Sequence, residues 1–274
     1  MKKLSMRPSR VLRKLRAGEP AACYKCNLDS ARVVELVAMT GFDCVWTDME
    51  HVANDLGMIE RQVMAAKLGD CDLMVRVSRG GYSDYIRPLE LDAAGIMVPH
   101  VMSLDDAKQV ARMTRFHPLG RRPVDGGNAD GAYCAIEFKQ YLAEANRERF
   151  VAIQIEDPEP LAELDAIAAV PGIDMLFFGP GDFSHGIGAP GEWDHPRIIE
   201  ARRLVAKAAK RHGKFAGTVA TPDGASELIA MGYLFLNIAA DVIGLRAQCL
   251  DALARFSEPV PKPDRTRKDP DVII

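Results

Sequence analysis

The chain has 274 residues, 48% of them hydrophobic, which is enough for one large core in a single domain. Its formal net charge of -3 gives no reason to expect nucleic acid or an acidic membrane as a partner. An uninterrupted apolar run of about eighteen residues, the length that a membrane span needs, is not found in it.

Strand and helix patterns alternate through the first half of the chain. The basic segment 1–16 predicts a short amphipathic helix, with an organelle transit peptide as the alternative to be weighed. Short apolar runs predict strands at 21–26, 44–47, 73–77 and 95–101. Helical spacing between them predicts helices at 29–39, 56–68 and 82–91. Ser103 and Asp106 then form a sequence typical of a helix N-cap.

The second half continues the alternation after a long glycine- and arginine-bearing loop at 116–132. Loops of this length are usually functional or mobile. Further strands are predicted at 151–155, 173–178, 215–220 and 234–239. Further helices are predicted at 137–148, 160–170, 195–212, 223–231 and 242–254, with a glycine-rich loop at 185–193.

Eight strand–helix units predict a closed parallel (β/α)8 TIM barrel. An open doubly wound sheet is the runner-up, disfavoured because no G-x-G-x-x-G follows the first strand. We expect one barrel domain over residues 1–258. The proline- and charge-rich segment 259–274 predicts an extended or disordered tail, because it cannot bury a core of its own.

Six cysteines indicate the redox environment of the chain. Most fall in predicted strands or helices, where a thiol packs as a small apolar group, so we expect a protein of the reducing cytoplasm. Cys23 and Cys26 form a C-x-x-C without a second pair or a nearby histidine. This pattern favours a structural role over redox or metal chemistry.

Two acidic residues follow neighbouring predicted strands, and they carry the strongest chemical signal. Glu156 comes directly after the strand at 151–155, and Asp182 follows the strand at 173–178 past Gly179-Pro180-Gly181. Parallel neighbours in a βαβ unit lie about 4.8 Å apart, so these carboxylates can converge. Converging carboxylates repel unless a cation or a proton lies between them. The pair predicts a site for Mg²⁺ or Mn²⁺, and the alternative is that both residues cap loops and helices.

A second group of candidates follows strands two and three. A barrel of this kind carries its active site at the carboxyl ends of its strands. His51 could act there as a general base or acid, because imidazole titrates near neutral pH. Asp48 could orient its ring, or could make only a loop hydrogen bond. Arg76 lies inside an apolar run and needs an anionic partner, either a substrate oxygen or a buried carboxylate.

The remaining histidines are not assigned a catalytic role. We expect these five to be solvated or structural, although the loop of His185 could border the mouth: His100, His117, His185, His195 and His212.

The two acidic motifs resemble those of a known enzyme family. Gln154-Ile155-Glu156 and Gly179-Pro180-Gly181-Asp182 are similar, in sequence and separation, to the metal-binding motifs of the HpcH/HpaI family of class II, metal-dependent pyruvate aldolases. The resemblance extends over residues 21–250. It implies a TIM barrel and a homo-oligomer, a hexamer or a trimer, in which C-terminal helices are exchanged between subunits.

The resemblance also implies roles for individual residues. Glu156 and Asp182 would hold the metal ion, and Asp48, His51 and Arg76 would be catalytic. The 2-oxo acid would contact four residues: Gln154, Arg76, Pro180 and Gly181.

The chain departs from the family pattern in two places. It has Leu89-Glu90-Leu91-Asp92-Ala93 where the family often has L-D-x-G-A, and its long loop reads G-R-R-P rather than G-x-R-G. These changes affect the aldehyde side of the site. They leave Glu90, as an acid shared between subunits, and Arg121, as a substrate contact, as the weaker candidates.

The leading functional hypothesis is a metal-dependent carbon–carbon lyase. Retro-aldol cleavage of a 4-hydroxy-2-oxo acid would give pyruvate, or a related 2-oxo acid, and an aldehyde through a metal-bound enolate. Such a site needs no Schiff-base lysine, for which Lys25 is the obvious candidate in a strand.

Two rival hypotheses remain open at this stage. Acyl-CoA lyase or oxaloacetate decarboxylase chemistry could use the same metal site. An acyl-CoA substrate would require a basic patch at the mouth, for which the available cluster is Arg115, Arg121 and Arg122. A scaffold protein without turnover would be favoured if Glu156 or Asp182 were replaced, and both are present.

Overall fold

The computed structural model describes residues 4–257, which form a closed barrel of eight parallel strands. The strands follow one another around the barrel in sequence order, and β1 closes it by pairing with β8. Their bounds are β1 Ala21–Lys25, β2 Cys44–Asp48, β3 Asp72–Arg76, β4 Gly95–Val98, β5 Phe150–Ile155, β6 Met175–Phe178, β7 Phe215–Val219 and β8 Tyr233–Ala240. The TIM-barrel prediction is confirmed, and the open-sheet alternative is excluded.

Helices connect the strands and return the chain to the same end of the barrel. Their bounds are α1 Arg10–Arg16, α2 Ala31–Met39, α3 Leu56–Leu68, α4 Tyr82–Glu90, α5 Leu104–Thr114, α6 Phe138–Glu148, α7 Leu164–Ala168, α8 Pro180–Gly186, α9 Pro196–Arg211, α10 Ala225–Met231 and α11 Asp241–Ser257. Because all strands are parallel, their carboxyl ends open together at one mouth. Over the described range, no helix combines the length and the apolarity that a membrane crossing requires.

Apolar side chains form an inner and an outer layer, as the alternation along each strand requires. On β2, Val45 belongs to the cluster between strands and helices, whereas Trp46 belongs to the cluster inside the barrel. The Trp46 ring packs on Phe177 of β6 at 5.6 Å, and Phe177 packs on Phe235 of β8 at 6.3 Å. These strands are not neighbours, so the aromatic contacts fill the interior of the barrel beneath the mouth.

Helix α1 confirms the amphipathic helix predicted near the N-terminus. Its apolar residues Val11, Leu12 and Leu15 are buried in the inner cluster. Ser9 caps the helix, and the Asp72 carboxylate accepts hydrogen bonds from the Ser9 hydroxyl at 2.5 Å and from the Val11 amide at 2.9 Å. Since Asp72 begins β3, this anchor holds α1 against the amino end of the barrel.

Two predicted segments differ from the structure. The helix predicted at 160–170 is a 3₁₀ turn over Glu159–Glu163 followed by the short α7. The glycine-rich loop predicted at 185–193 begins inside α8, because Pro180 occupies a first-turn position and favours a helix. His185 therefore lies in the last turn of this helix.

Helix α11 carries large apolar side chains on exposed surface. Beyond Asp241, residues 242–257 are exposed over the whole length of the helix. Leu253 is 63% exposed and Phe256 is 87% exposed. An apolar surface of this kind is typical of an interaction site. The predicted tail at 259–274 lies outside the described residues.

We expect the inner aromatic layer to dominate the stability of the barrel. Phe235→Ala should lower the free energy of unfolding by about 3–5 kcal/mol, because it leaves a cavity beneath Phe177. Chemical denaturation would measure the change. As a control, Phe138→Ala removes a ring that is 58% exposed and should change the free energy by less than about 0.5 kcal/mol. Equal effects of the two variants would contradict this description of the core.

Candidate active site

A buried ion pair joins the ends of β2 and β3. Asp48 and Arg76 are paired in register between the two strands. The Arg76 guanidinium donates through Nε to Oδ1 of Asp48 at 3.1 Å and through Nη2 to Oδ2. Arg76 thus has the buried anionic partner that its place in an apolar strand requires.

Asp48 is held in its ionised form. Burial acts to raise its pKa, but the hydrogen bond and charge of Arg76, followed by the charge of Lys25, outweigh burial and lower the pKa. The same carboxylate accepts the backbone amides of Glu50 at 2.9 Å and His51 at 3.3 Å. These contacts shape the turn after β2.

His51 is not oriented by Asp48 as predicted. Asp48 contacts the backbone amide of His51, while the His51 ring is 61% exposed and lies with Nε2 3.5 Å from Oε2 of Glu50. Glu50 also contacts Nη1 of Arg76 at 3.1 Å. The carboxylate beside the imidazole is therefore Glu50, because Asp48 is already occupied by Arg76 and by the turn.

Glu156 follows β5 and is buried. Its Oε1 accepts the backbone amide of His100 at 2.8 Å, and its Oε2 accepts Nε2 of Gln154 at 2.6 Å. Burial raises its pKa to about 7; the His100 amide and the His100 charge oppose this, whereas the charge of Asp182 adds to it. The charge of Asp182 therefore acts on Glu156.

Asp182 lies in the first turn of α8 at the end of β6. The preceding Gly179 is required there, since a Cβ at that position would approach Cβ and Oε2 of Glu156 to 2.7 Å. Pro180 is buried and starts the helix, while Gly181 faces open space. Because Gly179 has no side chain, the backbone after β6 can approach Glu156 closely.

The residues around Glu156 and Asp182 fit a hard divalent cation. Gln154 Oε1 is buried and has no hydrogen-bond partner among the described residues, so an oxygen acceptor is free beside the carboxylates. Across residues 4–257, no group of three or more His, Cys, Asp or Glu side chains is arranged to hold a metal ion. Mg²⁺ commonly uses one or two carboxylates and fills its other positions with water or substrate. The carboxylates of Glu156 and Asp182, with the amide oxygen of Gln154, agree with this coordination preference.

His100 is a site residue that the sequence analysis missed. It has a left-handed backbone with φ of 47°, and its Nδ1 lies 2.8 Å from Oδ2 of Asp157. Its Nε2 lies 3.9 Å from Oε1 of Glu50. Burial lowers the pKa of His100, but the Asp157 hydrogen bond and the charge of Glu156 raise it overall. The available signal was its position at the end of β4, the same position that selected Asp48, Arg76 and Glu156.

Glu90 and Arg121 are not at the mouth of their own subunit. Glu90 ends α4, just before β4 begins, and burial raises its pKa, with Arg122 opposing and Asp130 adding to the effect. Arg121 lines a cavity of about 420 Å³ with Val170 and Pro171, which precede β6. Both residues lie at the amino end of the barrel, because each is adjacent to the start of a strand.

The arginine cluster proposed for a CoA phosphate is also displaced from the mouth. Arg115 is buried and bonds to Asp174 and to the carbonyl of Arg149, both at the starts of strands. Arg122 is buried against Asp130 at 2.8 Å. These arginines are engaged in structural ion pairs, so they do not form the basic patch that an acyl-CoA substrate requires.

Comparison with known proteins identifies the family. The model of the HpcH/HpaI aldolase/citrate lyase family matches residues 25–247. The chain belongs to the HpcH/HpaI family. The family resemblance is thereby confirmed, as is the prediction of a class II aldolase-type enzyme.

Individual HpcH/HpaI relatives cover nearly the whole chain. A 2-keto-3-deoxy-L-rhamnonate aldolase of Klebsiella pneumoniae is 32% identical over 92% of this chain and 94% of its own length. A pyruvate aldolase of Rhizobium etli is 33% identical over 89% of this chain and 96% of its own. The crystal structure of an HpcH/HpaI aldolase from Desulfitobacterium hafniense has a TM-score of 0.85 and 29% identity, covering 92% of this chain and 97% of that one.

We expect removal of the Arg76 charge to destabilise the protein in a pH-dependent manner. Arg76→Met leaves Asp48 and Glu50 without their shared cation, which should cost about 3–5 kcal/mol at pH 8. Asp48 has a lowered pKa, so its contribution is present above the unfolded value and is lost as the pH falls. The deficit of the variant should therefore shrink below about pH 4. Urea denaturation across this range would measure it.

The matched control is Arg79→Met. Arg79 pairs with Asp106 on partly exposed surface, so its loss should cost less than about 1 kcal/mol. A pH-independent deficit in Arg76→Met would contradict the assigned ion pair.

Proposed function

We propose that the chain is a metal-dependent carbon–carbon lyase that cleaves a 4-hydroxy-2-oxo acid to pyruvate, or a related 2-oxo acid, and an aldehyde. The observation that carries the proposal is the position of Glu156 and Asp182 after the adjacent strands β5 and β6, in the same mouth as the Asp48–Arg76 pair. The relatives named for aldol chemistry on 2-oxo acids support this reaction class.

Glu156 and Asp182 are the proposed metal ligands, with Gln154 supplying an adjacent amide oxygen. A bound Mg²⁺ or Mn²⁺ provides a Lewis acid for the keto oxygen of the substrate. Pro180 and Gly181 begin the helix that carries Asp182, so they form the edge of the site where the 2-oxo acid would lie.

Arg76 is suited to stabilise negative charge on a substrate oxygen. Its side chain is held by Asp48 and Glu50, so its guanidinium is oriented before substrate arrives. A fixed donor placed where charge develops contributes more than a mobile one, because no reorganisation is needed during the reaction.

His51 is the proposed base for the 4-hydroxyl proton. Its ring is open to the mouth and adjacent to Glu50, whose carboxylate would stabilise the imidazolium formed by proton transfer. Asp48 acts on His51 through the backbone of the turn, and on the substrate through the orientation of Arg76.

The acyl-CoA lyase alternative has less support. Two of the arginines that it requires, Arg115 and Arg122, are buried in ion pairs at the opposite end of the barrel. Oxaloacetate decarboxylation needs only the metal site and an adjacent cation, so it remains the nearer alternative.

We also propose a homo-oligomer, a hexamer or a trimer, assembled in part through α11. The exposed Leu253 and Phe256 support this, because a soluble monomer rarely leaves such a surface uncovered. Phe256→Asp should reduce the mass measured by light scattering, whereas Gln248→Asp on the same exposed helix should not. An unchanged mass in Phe256→Asp, or a monomeric wild type, would contradict the proposal.

Pyruvate release should depend on added metal. EDTA-stripped protein should release pyruvate from a panel of 4-hydroxy-2-oxo acids only after Mg²⁺ or Mn²⁺ is restored, as a coupled dehydrogenase assay would detect. His51→Ala should slow cleavage by about 10²–10⁴-fold with little change in metal affinity. Absence of release with every acid and metal would contradict the lyase proposal, and undiminished turnover of the variant would contradict the role of His51.

Metal affinity should decrease as the pH falls through 7. The Glu156 pKa of about 7 means that protons compete with the metal below that value. The apparent affinity for Mn²⁺ should then fall by up to about tenfold for each further pH unit. Titration calorimetry between pH 6 and pH 8 would measure this. Glu156→Gln should bind weakly at every pH, and a pH-independent affinity in the wild type would exclude Glu156 as the ligand.

A further inference from the structure

Lys25 is a cation inside the mouth to which the proposed reaction assigns no role. It is the last residue of β1, and its side chain is 20% exposed. Its ammonium lies 3.3 Å from Oδ2 of Asp48 and 4.5 Å from the centroid of the Trp46 ring. Trp46 belongs to the apolar cluster inside the barrel. Lys25 therefore packs against the interior of the barrel rather than lying on its outer surface.

The Lys25 ammonium makes fewer ion-pair contacts than the guanidinium of Arg76. Arg76 contacts both oxygens of Asp48 and one of Glu50, and it also lies over the Trp46 ring. Lys25 shares only the Asp48 oxygen that Arg76 already occupies. A lysine has three donors, so this ammonium retains capacity for another anion.

The surroundings of Lys25 favour binding of an additional anion. Burial, followed by the neighbouring charge of Arg76, lowers the pKa of Lys25, while Asp48 opposes the shift. A poorly solvated ammonium beside another cation gains more from an incoming carboxylate than one in water does. Trp46 Nε1 is also buried and has no hydrogen-bond partner among residues 4–257. A second donor close to Lys25 is therefore without an acceptor.

The position of Lys25 identifies which part of a substrate it can reach. In the closed barrel, β1 is the fourth strand from β5 in both directions. Lys25 and Glu156 therefore stand on opposite walls of one mouth. A substrate that spans the mouth from Glu156 and Asp182 would bring its other end to β1.

We propose that Lys25 forms a carboxylate subsite for the carbonyl fragment, so that the enzyme selects an aldehyde or 2-oxo acid bearing its own negative charge. This inference rests on the proposed aldolase function and adds the substrate class. Lys25 is a specificity-determining residue that binds the distal carboxylate, with Trp46 as its platform and Asp48 fixing its direction.

The test compares charged and uncharged partners in the synthetic direction. Condensation of pyruvate with glyoxylate and with acetaldehyde is measured in the presence of Mn²⁺ for wild type, Lys25→Met and Lys25→Arg. Lys25→Met should lower the ratio of kcat/KM for glyoxylate to kcat/KM for acetaldehyde by at least about tenfold, because the lost ammonium binds the carboxylate that glyoxylate carries and acetaldehyde lacks. Lys25→Arg should restore most of the glyoxylate affinity, because it keeps the charge.

Arg79→Met serves as the control for long-range attraction. It removes one positive charge near the carboxyl end of β4, where Arg79 pairs with Asp106. This variant should treat both partners as wild type does. An equal loss of glyoxylate affinity in Arg79→Met would show that general charge, rather than a Lys25 subsite, sets the preference.

The remaining outcomes separate the two proposals. If wild type condenses both partners and Lys25→Met affects them equally or not at all, the subsite is overturned while the aldolase function stands. If wild type condenses neither partner, both the proposed aldolase function and the proposed Lys25 subsite are contradicted. Borohydride trapping of pyruvate on Lys25 in EDTA-treated protein would overturn the subsite by making Lys25 a nucleophile.

Discussion

The buried ion pair between Asp48 and Arg76 is the interaction on which the mouth of this barrel depends. Parallel pairing of β2 with β3 places the two residues side by side, and the buried Arg76 contacts both carboxylate oxygens of Asp48. The pair keeps Asp48 ionised, and Asp48 in turn shapes the turn that carries Glu50 and His51. Removal of either charge would leave its partner buried with a single remaining counter-charge among residues 4–257, Lys25 for Asp48 or Glu50 for Arg76.

The mouth divides into a cationic wall and a carboxylate wall because each strand contributes its terminal residues in order. Strands β1 to β3 supply Lys25 and Arg76, with Asp48 between them. Strands β5 and β6 supply Glu156 and Asp182; among residues 4–257 neither carboxylate forms an ion pair with a lysine or an arginine, and His100 Nδ1 lies 3.8 Å from Glu156 Oε1. A substrate with two anionic groups, bound together with a metal ion, would match this separation of charge. The metal ion would neutralise the carboxylate wall, and the substrate would neutralise the cationic wall.

Strand order and the main candidates were predictable from the sequence, because apolar runs followed by polar residues mark the carboxyl ends of parallel strands. Asp48, Arg76 and Glu156 were found in this way. Contacts between side chains were not predictable: Glu50, rather than Asp48, lies beside His51, and His100 lies between Glu50 and Glu156.

The incorrect prediction that Arg115, Arg121 and Arg122 lie at the mouth has a related cause. Arg121 and Arg122 follow helix α5, so they lie near the starts of strands, at the end opposite the mouth. Local composition suggested a basic patch, but it does not show which end of the barrel a loop occupies. The direction of the preceding helix does show this, and it was the signal available for Arg115 as well.

The central claim is that Glu156 and Asp182 would hold a metal ion, whose Lewis acidity would make the methyl protons of pyruvate more acidic. Deuterium exchange into the methyl group of pyruvate tests it most directly, because exchange needs no carbonyl partner. Proton NMR in D₂O should show Mg²⁺-dependent loss of the methyl signal with wild type and none with Glu156→Gln. Exchange that survives EDTA, or that Glu156→Gln leaves intact, would contradict the account.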